Sequence, residues 1–315
     1  MRTTQPGRGP YFEGWYLKLQ TRDGRSLALI PALHIDALGR RSASMQVAFG
    51  GRSWLLPYPM PDVCRKPWSV CMGPNRFSEW GAQLLVERPG CSLTGALRFG
   101  PFSRLRSDIM GPFRLIPGME CAHGVLSMGH ALDGALRLNG ELIDFSGGTG
   151  YIETDRGRSF PRAYLWTQCA WHGEQPAGVM LSVAEIPLAG RRFTGCICAI
   201  LFGGREYRLA TYRGARVEAW SQSGAVIRQG RLRLEVEIAR DDGLPLRAPV
   251  DGAMRRGIRE SLSARASYRF RVGRTLLFEH TDRRASFEAV FPAGAQPDSG
   301  AAQLRGVILT MPPRP

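Results

Sequence analysis

The sequence predicts an all-β protein built as two consecutive antiparallel barrel or sandwich halves. Apolar and polar residues alternate with period two over most of the chain, turn dipeptides such as Asp23-Gly24, Pro89-Gly90 and Asn139-Gly140 recur, and the segments between them are short and evenly spaced. A length of 315 residues allows two domains of ordinary size, and 43% hydrophobic with 22% charged residues is enough to bury a substantial core.

Taken in order, Tyr11 to Thr21 reads as a strand, residues 22–25 as its turn and Ser26 to Asp36 as the returning partner. Gln83 to Arg88 with Ser92 to Phe99, and Ala131 to Leu138 with Glu141 to Phe145, read as further hairpins. Beyond Gly150, strands are expected at 163–171, 177–186, 194–202, 206–212, 217–221, 231–239, 264–272 and 286–290. Asp251 to Ser261 is the one segment with a helical pattern, entered through the extended Leu246-Arg247-Ala248-Pro249. Two stretches interrupt the alternation. Leu55 to Phe77 carries five prolines and cannot be a central strand, so it reads as a loop over the mouth of the fold; Pro101 to Glu120 reads as a second long loop. Composition changes around Gly147-Gly148-Thr149-Gly150, which divides the chain into domains 1–155 and 156–315. These glycines lack the spacing and following helix of a phosphate loop.

The formal charge of +15 is almost all arginine, with Lys18 and Lys66 the only lysines, and it is scattered through the chain. That pattern argues against a nucleic-acid partner and leaves peripheral attraction to an anionic membrane open. The polar N-terminus lacks a signal-peptide apolar region, and no run is long enough for a spanning helix, so a cytoplasmic protein is expected. Seven cysteines, an odd number without a scaffold spacing, are expected to be reduced. No metal site is expected. His123 and His130 fit no zinc spacing and face opposite sides of a regular strand, which points to structural or pocket hydrogen-bonding roles; Cys196-Ile197-Cys198 has no partner pair. The nucleophile motif Gly-x-Ser-x-Gly is absent.

Several separated blocks resemble the tocopherol cyclases of chloroplasts and their bacterial homologues: Phe12-Glu13-Gly14-Trp15-Tyr16, then Ser159-Phe160-Pro161-Arg162 leading to Trp166 and Gln168-Cys169, then Leu246-Arg247-Ala248-Pro249. Together they span about residues 11–275. The Glu153-x-Asp155 segment before an aromatic-x-Gln strand is similar to carotenoid hydratases, which pair two lipocalin-like β domains. The resemblance implies acid protonation of an isoprenoid double bond, a tertiary carbocation, and capture by a phenol oxygen, with no cofactor and with an isoprenoid or prenylated aromatic as ligand. The sequence departs from the pattern at Arg156, where many bacterial relatives carry tryptophan.

Such chemistry needs a carboxylic acid kept neutral by burial and aromatic faces beside the cation. The acid candidates are Glu153 and Asp155, two apart on one strand face, and Glu13 in the opening block. The alternative is that Glu153 and Asp155 pair with Arg156, Arg158 or Arg162, and that Glu13 is a buried salt-bridge partner. Trp15, Tyr16, Trp80, Tyr164, Trp166 and Trp68 are candidate ring walls, with Gln168 continuing the Tyr164–Trp166 row toward a ligand oxygen. Core packing explains the same aromatics equally well. Two functions therefore stand: an acid-catalysed cyclase, hydratase or isomerase, and a carrier that holds the same hydrophobic ligand without chemistry.

Overall fold

The computed structural model describes residues 9–66, 69–116, 119–172, 176–188, 190–239 and 243–292. Almost everything in it is strand. The described helical pieces are three 3-10 turns, Met60–Asp62, Gly111–Leu115 and Thr211–Arg213. None is long and apolar enough to cross a membrane.

The first sheet is formed by β1 (Tyr11–Gln20), β2 (Ser26–Ile35), β3 (Arg41–Phe49), β4 (Arg52–Tyr58), β5 (Val63–Lys66), β6 (Ser69–Met72), β7 (Asn75–Ser78), β8 (Gly81–Arg88), β9 (Cys91–Phe99), β10 (Cys121–Leu138), β11 (Glu141–Asp144) and β12 (Gly148–Gly157). Its order is β4-β3-β2-β1-β12-β10-β9-β8-β7-β6-β5, with β11 paired to β10. The second sheet is formed by β13 (Tyr164–His172), β14 (Pro176–Leu188), β15 (Arg191–Phe202), β16 (Arg205–Ala210), β17 (Arg216–Ser221), β18 (Gly224–Gln229), β19 (Leu232–Ala239), β20 (Leu244–Val250), β21 (Ala253–Val272) and β22 (Thr275–Val290). Its order is β16-β15-β14-β13-β22-β21-β19-β18-β17, with β20 on β21. This is the all-β, two-half, lipocalin-like architecture expected from the alternation. The 155/156 division falls inside β12, two residues before its end.

Each sheet curls around its own core. Leu17, Leu29, Val47 and Leu56 meet Phe77, Val86 and Leu93 inside the first, and the Asn75 amide donates to the Tyr58 hydroxyl across its open seam at 3.0 Å. Val179, Leu181 and Ile200 meet Val236, Tyr268 and Phe270 inside the second. There the Gln229 side chain closes the seam, donating to Arg208 O and accepting from Ala210 N, both at 3.0 Å. Because side chains alternate, the faces left over by these cores look at one another. A third core fills the space between the sheets, where Ala28, Ala48, Ala199, Ala210 and Ala248 allow close approach and Tyr16, Met128, Tyr151, Trp166 and Met180 occupy the rest. The Gln46 amide pairs with the backbone of Arg247 in both directions, at 3.0 and 2.7 Å, which joins β3 to β20.

Three expectations are corrected. Asp251 to Ser261 is not helical: Asp251 and Gly252 make a tight turn at positive φ, and the remainder opens β21. Buried Ile258, Glu260, Leu262, Ala264 and Ala266 occupy alternate positions there, and the charge of Glu260 disguised the period. The proline-rich stretch holds the end of β4 and the short strands β5 to β7; Pro57 sits on an edge strand and Pro59, Pro61 and Pro74 at turns, where a missing N–H costs little, while Pro67 lies outside the described residues. Cys64 and Cys71, directly opposed on β5 and β6, form a disulfide, whereas Cys91, Cys121, Cys169, Cys196 and Cys198 are free thiols.

Gly252 sits where the sheets touch. A Cβ on it would lie 1.8 Å from Ile35 O and 2.7 Å from Tyr11 N, and its φ is +75°. Gly252→Ala is therefore expected to cost about 2 kcal/mol or more, since it adds a backbone clash to the left-handed penalty. Urea denaturation of the two proteins checks this.

Candidate functional site

A cavity of about 170 Å³ lies between the sheets. Met110, Phe113 and Met119 from the long 100–120 connection border it together with Phe160, Pro249 and Met254, and the rest of its lining is mostly apolar apart from a group of acids. Strand register sets those acids in rows. On the first sheet, His123 of β10 is opposite Asp155 of β12, which is opposite Gly14 of β1; in the next row, Glu153 is opposite Tyr16. On the second sheet, Trp166 of β13 is opposite Glu288 of β22, which is opposite Glu260 of β21.

Glu260 and Glu288 are 3% and 6% exposed, two carboxyl groups facing each other in the wall of an apolar cavity. The Tyr16 hydroxyl donates to Glu260 and lies 2.9 Å from the Ser286 hydroxyl; the Tyr164 hydroxyl donates to Glu288. Burial, then the charge of Glu288, pushes the Glu260 carboxyl well above the usual range. Burial raises Glu288 to about 7, against the opposing Tyr164 hydrogen bond. Both tyrosines are held above their ordinary pKa by burial and by these acids, so they act as neutral donors.

The second polar group lies on the first sheet. His123 places Nδ1 2.9 Å from Asp155 and Nε2 3.2 Å from Glu153. Burial opposes charge on this imidazole, but the two carboxylates outweigh burial and hold its pKa well above the histidine range. Glu153 also accepts from the Tyr151 hydroxyl and, at 3.2 Å, from Trp166 Nε1; burial raises its pKa and His123 limits the rise. The Cys121 thiol donates to Asp155 at 3.5 Å. Neither acid bonds the nearby arginines, and Arg158 pairs instead with Asp251.

Among the described residues, two groups bring metal-ligating atoms within 4.8 Å: His123 with Glu153 and Asp155, and Cys169 with His280 and Asp282. In the first, each imidazole nitrogen faces a different carboxylate, so the donors point at one another and not at a shared centre. In the second, the Arg284 guanidinium takes both oxygens of Asp282, at 2.8 and 2.6 Å. Neither set is arranged to receive an ion.

Among the residues singled out from the sequence, Glu153, Asp155, Tyr16, Tyr164 and Trp166 come together on the cavity, and Trp15 borders it while its ring packs on the first core beneath Arg65, 6.0 Å away. Glu13 does not reach it. It lies on the opposite face of β1, where it pairs with Arg65, because residues 13 and 16 differ in parity. Trp80 is 77% exposed at the β7–β8 turn, so it is no ring wall. Gln168 is buried one ladder step past the cavity, opposite Ser286, and its Oε1 has no hydrogen-bond partner among the described residues. Arg156 faces away from the cavity opposite Glu13, so tryptophan there would not meet a ligand. Trp68 lies outside the described residues. His123 enters this site and His130 enters the first core between Phe99 and Phe102, the opposite faces that alternation over seven residues requires; two register shifts between Val125 and His130 leave that parity unchanged. Sequence reasoning missed Glu260 and Glu288; Glu260 carried a signal, an acid between Ile258 and Leu262 in the inward row of β21, whereas Glu288 follows Asp282, Arg284 and Ser286 in a polar row that hid it.

The sequence matches no protein-family model and no curated protein. Among solved structures the chain is similar to CghA, crystallised with Sch210972, at 9% identity and a TM-score of 0.57, covering 90% of this chain and 88% of that one. It is similar to an AttH-type protein from Nitrosomonas europaea at 11% identity and a TM-score of 0.52, covering 90% and 92%. Kievitone hydratase from Nectria haematococca aligns at 10% identity and a TM-score of 0.50, covering 91% of each chain. Agreement over nearly whole chains at such identities is agreement of fold. The resemblance to tocopherol cyclases gains no sequence match.

Proposed function

We propose that the protein is an acid catalyst that protonates a carbon–carbon double bond of an apolar ligand, an isoprenoid or a prenylated aromatic, and directs hydration, isomerisation or ring closure of the cation. The observation that carries this reading is the Glu260–Glu288 pair, buried face to face on the cavity with a tyrosine hydroxyl on each. Two close carboxyl groups retain a proton at neutral pH because they cannot both ionise cheaply, so one member is available as a general acid. A fold shared with a hydratase supports the reading, as does one shared with a protein crystallised around a small organic molecule.

In the reaction, the acid proton forms a new C–H bond as the π pair leaves the other carbon, which becomes a tertiary cation. The Trp166 and Tyr16 rings and the ionised partner carboxylate stabilise that charge. Water or a phenol oxygen of the ligand closes on the cation, and Asp155, oriented by His123, accepts the proton that the oxygen releases. Capture by phenol is the cyclase outcome, giving a chromanol-type ring; capture by water is the hydratase outcome. The test is incubation of purified protein with prenylated quinols and terpenoids in deuterated water. Product carrying carbon-bound deuterium is expected, and saturable binding without conversion across the panel would make the protein a carrier.

The acid also fixes a pH dependence. Glu260 holds the catalytic proton and Glu288 is the partner that ionises, so turnover should rise as pH rises through about 7 and fall only at the higher pH where Glu260 gives up its proton. Glu288 also affects stability. Its folded pKa exceeds the unfolded value, so the folded state binds the extra proton; that stability is full below the ordinary glutamate range and is lost as pH rises to about 7. Urea midpoints measured from pH 4 to 8 should fall more steeply in the wild type than in Glu288→Gln.

A further inference from the structure

One buried cation has no part in the chemistry described so far. Lys18 is 2% exposed and follows Tyr16 on the inter-sheet face of β1, just outside the cavity lining. Its Nζ donates to Arg284 O on β22, an oxygen that also accepts from the Gln20 amide at 2.9 Å. The Arg284 side chain is committed to Asp282, whose other neighbour is His280 at 3.2 Å. Among the described residues, no carboxylate lies within ion-pair reach of Lys18 Nζ, an expensive state for a buried ammonium. The charged and titratable groups that act on it are Cys169 of β13, Glu260 of β21, and Asp282 and Arg284 of β22. Its ladder neighbour on β12 is Tyr151.

We infer that Lys18 is a positioning residue for Glu260, a cation held beside the Tyr16–Glu260–Ser286 group so that this acid can still release its proton. The inference rests on the acid role proposed for the pair. A carboxyl buried against a second carboxyl holds its proton tightly, and an acid that holds too tightly transfers slowly. Glu288 and Glu153 both push Glu260 in that direction, the Tyr16 hydroxyl opposes them by hydrogen bonding, and Lys18 is the cation that opposes them. Burial brings Lys18 itself down to about 8, so its charge is poised to disappear within the range in which the enzyme works.

The test reads protonation directly. The infrared band of the carboxylic acid C=O, assigned by its loss in Glu260→Gln, should titrate at higher pH in Lys18→Met than in the wild type, and the upper limb of the pH–rate profile should move the same way. An unmoved infrared midpoint in a folded Lys18→Met overturns the inference. Lys18→Gln keeps a donor for Arg284 O without the charge and should show the same upward displacement. Nitrogen-15 lysine spectra of the wild type provide a measurement that needs no Lys18 variant. Lys66→Arg assigns one of the chain's two lysine signals, and the remaining one should titrate near 8. A midpoint at the ordinary lysine value overturns the inference as well. Both titrations are read without substrate, so a protein that turns over nothing leaves this result standing or falling by itself.

Discussion

Glu260→Gln is expected to lose turnover by about 10²–10⁴-fold while ligand binding survives within a few-fold. Glutamine keeps the shape of the side chain and an oxygen for the Tyr16 hydroxyl, and Ser286 still completes the group, so the cavity wall should be preserved. What disappears is the ionisable proton and the like-charge pressure between Glu260 and Glu288. Glu288→Gln should cause a loss of similar size, and the double variant should add little, because groups that act as one unit do not lose activity additively. Ligand titration by quenching of tryptophan fluorescence, with Trp166 opposite Glu288 on the cavity wall, measures binding in the same samples. A Glu260→Gln protein that retains turnover would shift the acid role to Glu153 or Asp155.

The largest structural effect is expected at Arg208. Its guanidinium is 4% exposed and donates to Ser107 Oγ at 2.9 Å, Ser107 O at 2.9 Å, Asp108 O at 2.8 Å and the Glu206 carboxylate at 2.7 Å. The other oxygen of Glu206 accepts from Arg106 N at 2.7 Å, and the Tyr212 hydroxyl donates to Ile109 O at 2.9 Å. One β16 arginine thus fastens the connection that carries Met110 and Phe113 to the cavity. Arg208→Ala strands the buried Glu206 charge and three acceptors, a change that costs about 3–5 kcal/mol. For a chain of this size the melting temperature should drop by roughly 10 °C. Trypsin should then cut near Arg104, Arg106 and Arg114 before it cuts the sheets, a pattern absent from the wild type. Arg208→Lys should fall between the two, since a lysine keeps the charge but cannot form the fork. Wild-type stability in Arg208→Ala would mean that Tyr212 and the 3-10 turn hold the connection without help.

Period-two alternation made most strands legible, because a strand with one apolar face writes its orientation into the sequence. It failed where function breaks the alternation. Glu260 sits at an inward position of β21, and its charge turned a readable strand into an apparent helix, which hid an acid that the site depends on. Parity alone would have removed Glu13, since Tyr16 and Glu13 cannot share a face of a regular strand. Parity set His123 and His130 on opposite faces and left a pocket hydrogen bond open to either; that His123 meets Glu153 and Asp155 depends on the β10–β12 register, which composition does not record. Trp80 was misplaced because aromatic content does not distinguish a turn tip from a cavity wall. The opposition of Glu260 and Glu288 depends on pairing between β21 and β22 across several bulges, information that belongs to tertiary structure.

The way the ladders are partitioned has a consequence for biosynthesis. Every strand of the first sheet lies before residue 158, so its hydrogen bonding can be completed on the ribosome while the second sheet is still being translated. During that interval Tyr16, Ala28, Ala48 and Met128, together with the Lys18 ammonium and the His123–Asp155 pair, face water with no partner. Half of the site is then assembled, and the nascent chain presents a sticky apolar plate to its surroundings. Slow emergence of residues 164–290 lengthens that exposure, so the yield of folded protein is tied to the pace of translation after Gly157.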